Sequence, residues 1–487
     1  MRTTKAVVRT ALASCAVLVV AVGVSAAPAA DPLARAIDLI LDRPAFASAF
    51  WGIEVRGLKS GRLLYARNAE KSFRPASTLK LVTTAAALDA FGSDARLRTT
   101  VETIGRLDGR GRILGDVYLV GRGDPNLSGR FASDNAAAAF EELAEALRAA
   151  GVRRIEGRVV GHEGAFSGER RGSDWGWEDL TWSYGAEVSA LSFNDNMVDL
   201  RLAPGDRVLD PALLEASPRS SYYSVVSAVA TSSAGTKRDL TLVRDPGSNR
   251  IRITGALPIG EAWEGQVALE DPARYAATVF SEVLEAKGIR VTGPVATSSE
   301  KLPPEARVFA AHESPTLAEI LKVVNKESQN LHAEMLLRLL GQRTRGEGSV
   351  VAGHEAAQAF LARIGVPADT WGLEDGSGLS RSDLVSPHGL VALLTAMDRH
   401  SQAAPFRESL AVMGVDGTLK NRLRGTPAEG RIQAKTGTLH LVNALAGYAS
   451  PRAGEPLVFS IVVNNHTVPG REAVGAIDEI VELLVAQ

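Results

Sequence analysis

Several things are scarce in this sequence. A single cysteine, Cys15, occurs in 487 residues. It lies in the N-terminal apolar run, so a chain trimmed behind that run has no thiol, which excludes disulfides and thiol catalysis. Neither charge sign is in surplus: Lys and Arg number 54, Asp and Glu 56, and the formal net charge is −2. No basic patch calls for nucleic acid and no single-sign run makes a charged tail. None of the eight histidines falls in a metal-ligand spacing, and His354-Glu355 lacks a second histidine because position 358 is Gln. Gly164-Ala165-Phe166-Ser167-Gly168 has its serine in the wrong place for a nucleophile elbow. Internal repeats and low-complexity segments are absent as well.

What remains is an ordinary soluble composition, 45% hydrophobic and 23% charged, too long for one core. At the N-terminus, Arg2, Lys5 and Arg9 precede an apolar run from Ala11 to Ala27, followed by small residues. That order predicts a secretory signal over residues 1–30, cleaved between Ala26 and Ala30. An uncleaved anchor is the alternative reading, and Leu12-Ala13-Ser14-Cys15 has the form of a lipoprotein cleavage site.

Along the rest of the chain, Pro32 to Leu41 reads as a helix, then strands 52–56 and 62–66 flank Lys59-Ser60-Gly61 as a hairpin. A helix carrying Ser77 ends at Phe91-Gly92. Strands are expected at 97–104 and 113–120, a helix over 134–150 capped by Ser133 or Asp134, and a strand over 155–160. A hairpin at 240–253 and a helix over 273–287 follow, then helices at 316–324 and 329–340. Three strands, 431–435, 441–449 and 456–464, precede a C-terminal helix with Val474, Ile477, Ile480, Val481 and Leu484 at helical spacing. Strands and helices at both ends suggest one α/β domain interrupted by an insert. Trp175, Trp177, Trp182 and Tyr184 cluster in one segment, read as a local core with a sugar-peptide groove as the alternative.

Three motifs carry the chemistry. In Ser77-Thr78-Leu79-Lys80 the serine and lysine lie three apart, so hydroxyl and amine share a helix face. Ser328-Gln329-Asn330 opens a helix, and Lys435-Thr436-Gly437-Thr438 ends the first of the late strands. Each alone would read as a cap, a helix start or a strand end. In this order they form the Ser-x-x-Lys, Ser-x-Asn, Lys-Thr-Gly set of penicillin-binding proteins and serine β-lactamases.

About 250 residues separate Lys80 from Ser328, and with that spacing the chain resembles the D-alanyl-D-alanine carboxypeptidase/endopeptidase family, class C low-molecular-mass penicillin-binding proteins. Gly121-Arg122-Gly123-Asp124-Pro125, Leu191-Ser192-Phe193-Asn194-Asp195-Asn196 and Asp375-Gly376-Ser377-Gly378-Leu379-Ser380 support the resemblance. It implies an α/β (α+β) serine β-lactamase/DD-peptidase-like domain, helices on an antiparallel sheet, from residues 31–95 plus 308–487. Residues 96–307 would form an inserted accessory region, about 96–195 with 266–307 and a nested 196–265. The implied activity is cleavage after a D-alanyl residue of peptidoglycan stem peptides, without cofactor, with β-lactams as covalent inhibitors. Ser77 would be the nucleophile, and Lys80 its base, kept neutral by the nearby cation of Lys435. Ser328 would pass a proton to the leaving amine and Asn330 would orient Lys80 and substrate. Lys435, Thr436 and Thr438 would grip the terminal carboxylate. Gly437 would let substrate lie along the strand, and the backbone N–H groups of Ser77 and Thr438 would hold the oxyanion. A β-lactamase or esterase of the same fold, or a non-catalytic peptidoglycan-binding protein, are the rival readings. The resemblance also implies an exported, periplasmic or otherwise extracytoplasmic protein.

Overall fold

The computed structural model describes residues 31–487; the predicted signal segment and Cys15 lie outside them. Apolar residues near both ends of the described chain meet in one six-stranded sheet. Its order is Leu63–Arg67, Phe50–Gly57, Leu457–Asn464, Val442–Ala449, Ile432–Leu439, Ala411–Val412. All neighbours are antiparallel. The expected N-terminal hairpin supplies one edge, and it is joined to the C-terminal strands by an unbroken register from Phe50↔Asn464 to Gly57↔Leu457. The strands 442–449 and 457–464 are buried at every position, because both faces of the sheet are covered. Helices Pro32–Leu41 and Gly470–Val485 pack on one face around Ile37, Ile461 and Ile480. Helices Lys80–Phe91, Leu317–Lys326 and Pro387–Asp398 pack on the other around Leu81, Ile320 and Leu394.

The helix boundaries follow local chemistry. Thr316 and Glu319 form a reciprocal capping box, and Ser386 caps a helix with Pro387 in its first turn. Gly92 ends the Lys80–Phe91 helix at φ +76°. The Ser77 stretch is a 3₁₀ turn, Ala76–Leu79, feeding that helix rather than its first α-helical turn. Every residue from Lys80 to Leu88 is buried, so this is a central helix and Lys80 is deprived of water from the start.

Between the two halves of the sheet lies a mixed region with a single apolar core running from Val101 to Ala310. Strands 296–298, 159–162, 117–120, 98–103 and 307–313 form one sheet, and 290–291, 154–156, 112–114 and 106–107 another. Two three-stranded sheets follow in 197–268. The hairpin expected at 97–120 and the strand at 155–160 are each divided between the first two sheets. The crossing requires glycine: a Cβ on Gly157 would lie 2.2 Å from the Gly115 carbonyl oxygen, and Gly115 itself has φ +139°. The helix expected from Asp134 begins at Ala138, because Ser133 and Asp134 take left-handed φ of 51° and 64° and cannot cap it. Strand Arg307–Glu313 pairs with Arg98–Thr103, so the sheet of the inserted region continues past the expected boundary at 307.

Close sheet packing makes a testable demand at Gly447, whose Cβ would fall 2.2 Å from the Gln433 carbonyl oxygen and 2.6 Å from Ala434 Cα. Gly447→Val wedges Val442–Ala449 away from the strand that bears Lys435. It should cost about 2 kcal/mol or more. A thermal melt should show a midpoint lower by several degrees, with weaker labelling by a fluorescent penicillin in the fraction that remains folded.

Candidate active site

The 3₁₀ turn that carries Ser77 is clamped from two sides. Ala76 has φ +48°, a left-handed value that costs a residue with a Cβ roughly 1 kcal/mol or more. Gly378, at φ +80°, lies so close that a Cβ would be 2.0 Å from the Ala76 carbonyl oxygen. On the other side, a Cβ on Gly437 would be 2.6 Å from the Pro75 carbonyl oxygen. The missing side chain at Gly437 therefore serves the approach of the strand to the serine turn, a demand beside the expected room for substrate.

Lys80 Nζ sits beneath the turn with no solvent exposure. It donates to Ser77 Oγ at 2.8 Å, Asn330 Oδ1 at 2.6 Å and the Ser377 carbonyl oxygen at 2.7 Å. Two of these partners can only accept. When the amine loses its proton, its two remaining hydrogens stay on Asn330 and Ser377, and its lone pair is left facing the Ser77 hydroxyl. Asn330 is fixed in that orientation because its Nδ2 donates to the Tyr184 carbonyl oxygen at 2.9 Å.

A second lysine completes the site. Lys435 Nζ, also without exposure, donates to Ser328 Oγ at 2.8 Å and the Thr436 carbonyl oxygen at 2.9 Å. Ser328 holds left-handed φ +65° just before the helix Asn330–Arg345. Thr436 Oγ1 donates to Thr418 Oγ1 at 2.8 Å, and Thr438 is exposed. Lys435-Thr436-Gly437-Thr438 lies inside strand Ile432–Leu439 rather than at its end. The neighbouring strand Ala411–Val412 pairs only with Gln433 and Ala434, so beyond Ala434 the strand has an open edge next to Ser77.

Electrostatics follow from dryness. Burial lowers the Lys80 amine to about 7, against the charges of Asp375, Glu334 and Asp383, which favour its protonation. Burial also pushes Lys435 well below the ordinary lysine range, and the charge of Lys80 adds to it. Desolvation, more than the Lys435 cation named from sequence, is thus what keeps Lys80 neutral; the lysine–lysine repulsion is felt at Lys435. Two of the acids are weakened as counter-charges. Burial and Asp375 raise Asp383 to about 10 and Glu334 to about 7.

All eight residues singled out from sequence meet in this one place. Several partners were not anticipated, and three act through main-chain carbonyls or a lone hydroxyl: Ser377, Tyr184 and Thr418. The segment 375–380 bears on the chemistry. Asp375 accepts from the backbone N–H of Ser377, Gly378 and Ser380 at 2.9, 2.6 and 2.7 Å, and this turn aims the Ser377 carbonyl at Lys80. Trp175 packs against Val188, Leu331 and Met335 and its Nε1 donates to Asp375 at 3.0 Å, whereas Trp177 is 83% exposed, so the expected local core holds for Trp175 and not for its neighbour. Trp182, Tyr184 and Trp263 line an open groove of about 720 Å³. The segment Asp375-Gly376-Ser377-Gly378-Leu379-Ser380 was the only signal in sequence for the Lys80 clamp. His388, contrary to the spacing argument, does gather with Glu54 and Glu70 closely enough to ligate a metal. Glu54 there is already paired with Arg56 and His388, an ordinary ion-pair cluster.

The tight seat at Gly378 yields an expectation. Gly378→Ala must displace either the Ser377 carbonyl or the Ser77 turn, and a shift of that size should slow acylation by a labelled penicillin about 100-fold. Circular dichroism should meanwhile show a folded protein.

Comparison with known proteins agrees with this geometry. The profile of the D-Ala-D-Ala carboxypeptidase 3 (S13) family matches residues 33–486. The D-alanyl-D-alanine carboxypeptidase of Actinomadura sp. (strain R39) is 37% identical over 451 residues, spanning 90% of this chain and 82% of the relative. D-alanyl-D-alanine carboxypeptidase DacB of Haemophilus influenzae is 27% identical over 437 residues, 87% of each chain. The crystal structure of penicillin binding protein 4 (dacB) from Haemophilus influenzae has a TM-score of 0.79 at 24% identity, covering 92% of this chain and 98% of that one. The fold is therefore that of a penicillin-binding DD-peptidase, and the chain belongs to the D-Ala-D-Ala carboxypeptidase 3 (S13) family.

Proposed function

We propose that this protein is a serine DD-peptidase that cleaves after a D-alanyl residue in peptidoglycan stem peptides. The observation that carries the reading is the Lys80 amine, wholly buried, lowered to about 7 and 2.8 Å from Ser77 Oγ. Ser77 Oγ attacks the D-alanyl carbonyl while its proton passes to Lys80. The backbone N–H groups of Ser77 and Thr438 receive the oxyanion. As the C–N bond breaks, Ser328, polarised by Lys435, gives its proton to the leaving nitrogen, and the proton taken up by Lys80 replaces it, so Lys80 is again neutral for the water step. The peptide backbone lies along the open edge of the strand beyond Ala434, a form of strand addition. Lys435, Thr436 and Thr438 hold the carboxylate at its end. Water then attacks the acyl-enzyme and frees the shortened peptide. The same steps remove a terminal D-alanine or cut a cross-link made through D-alanine. A β-lactam enters as the acyl donor and leaves slowly.

The catalytic unit of this reading comprises residues 31–95 and 314–487, and residues 96–313 are the accessory region, because strand Arg307–Glu313 pairs with Arg98–Thr103 of the insert. Export across the cytoplasmic membrane is part of the reading. Among the described residues no helix is long and apolar enough to cross a membrane.

Ser77→Ala should form no adduct with labelled penicillin and should leave purified muropeptides intact. The wild type should remove one alanine, cleave dimers, or do both, as read by mass spectrometry. Rapid turnover of penicillin with untouched muropeptides would instead identify a β-lactamase. A second expectation concerns pH. The base must be neutral, so protonation of Lys80 below its value of about 7 removes activity. The rate constant for acylation should rise with pH through an apparent pKa near that value, falling about tenfold per unit on the acid side. A rate flat from pH 5 to 9 would overturn the assignment of Lys80 as base.

A further inference from the structure

The residues on either side of Ser328 are both held by one ion pair of the inserted region. Arg130 and Asp195 form a bidentate pair, Nη2 to Oδ2 at 2.8 Å and Nη1 to Oδ1 at 3.3 Å. Asp195 is 2% exposed. Burial pushes its carboxyl up, but His332 and Arg130 outweigh this and keep it below the ordinary range, so it is an anion. The pair does not close on itself. Arg130 Nε donates to Glu327 Oε2 at 3.2 Å, and Asp195 Oδ2 accepts from Gln329 Nε2 at 2.9 Å. The other end of the Gln329 amide caps the helix, Oε1 accepting from Leu331 N at 3.0 Å.

Ser328 needs holding. Its φ of +65° is one that a residue with a Cβ adopts only at a cost, and relaxation would swing its hydroxyl away from Lys435. The segment that aims Asp195 is itself contorted. Asn194, Asp195 and Asn196 take φ of 47°, 50° and 56° in succession, a run that Asn and Asp tolerate better than other residues with a Cβ. It is locked by Asn196 Nδ2, which donates to the Glu187 carbonyl oxygen at 2.8 Å and to Ser192 Oγ at 3.0 Å. A surface ion pair has no need of such a mount. Buried pairs are best suited to fixing one geometry among several.

We propose that Arg130 and Asp195 are positioning residues for the reaction. By tethering Glu327 and Gln329 they fix the Ser328 hydroxyl between Lys435 and the leaving nitrogen. This rests on the reading of Ser328 as proton donor to that nitrogen. Neither residue touches the reacting atoms, so the expected defect is a selective one. An amide nitrogen must gain a proton as its C–N bond breaks, whereas a thiolester leaves as thiolate and needs none.

Gln329→Glu keeps the acceptor for Leu331 N but sets a carboxylate against Asp195. Asp195→Asn removes the anion while keeping its shape. The double variant rebuilds the hydrogen bond with donor and acceptor exchanged. The quantity to measure is kcat/KM, which reads acylation, on a D-Ala-D-Ala peptide and on a thiolester with the same acyl part. Each single variant should lose about tenfold or more on the amide and less than about threefold on the thiolester. The double variant should regain most of the loss. Equal losses on both substrates, or losses that merely add in the double variant, overturn the inference and leave the pair a folding element. Ser328→Ala separates the two levels. If it also loses both substrates equally, the proton-donor reading falls and takes the inference with it. If it is amide-selective while the other variants are not, only the inference falls.

Discussion

Two lysine amines buried without exposure in one site cannot both stay charged, because each proton must overcome desolvation and then the repulsion of the other. Much of the catalytic half of the molecule can be read as the means of enforcing that constraint. Lys80 is dry because its helix is central, packed on one side by the sheet and on the other by the helices at 317–326 and 330–345. Lys435 is dry because its strand, one in from the sheet's edge, is pressed against the Ser77 turn. The nearby acids do not undo this. Asp383 and Glu334 are themselves pushed toward their neutral forms, so they supply less negative charge than their number implies.

An amine kept neutral in this way is useful only if its lone pair points at the right hydrogen. Acceptor-only partners at Asn330 and Ser377 decide that direction. Each is fixed by something far off in sequence: Asn330 by the Tyr184 carbonyl from the inserted region, and Ser377 by the Asp375 turn, itself tied to Trp175 of the insert. The inserted region thus contacts Asn330 and the Asp375 turn, which together hold Lys80, as well as the residues flanking Ser328. An insert of this size attached only as a passenger would leave those contacts to solvent.

Much of this was legible in the sequence, for physical reasons. Ser-x-x-Lys, Ser-x-Asn and Lys-Thr-Gly are local patterns of side chains with distinct chemistry, and the capping box at Thr316 and the stop at Gly92 are local too. Five of the six strands of the large sheet could be expected because they stand out as apolar stretches at both ends of the chain, whereas the two-residue strand Ala411–Val412 carries no such pattern. Other features could not be read because they are not side-chain identities. A main-chain carbonyl such as that of Ser377 belongs to every residue, and only the fold aims it. The tight seat of Gly437 depends on the approach of the Pro75 backbone, which no local pattern announces. The break at Gly157 depends on a crossing with Gly115, 42 positions earlier in the chain, that nothing in either stretch announces. Trp175 joins a small core and Trp177 does not, because a cluster of aromatics in sequence says nothing about which way each ring turns.

Strain shows why these long-range contacts concentrate at the site. Ala76 beside Ser77 and Ser328 itself both hold left-handed backbone, which neither residue adopts without cost. A regular helix or strand would avoid that cost, but it could not present Ser77 and Ser328 to one substrate atom cluster while keeping both lysines under cover. The site is built from bent turns between regular elements, and bent turns need clamps. Gly378 and Gly437 clamp the first, and the insert clamps the second. Activity and the packing of the accessory region are therefore linked through a few backbone torsions, and a loosened clamp would be felt in the rate before it is felt in the fold.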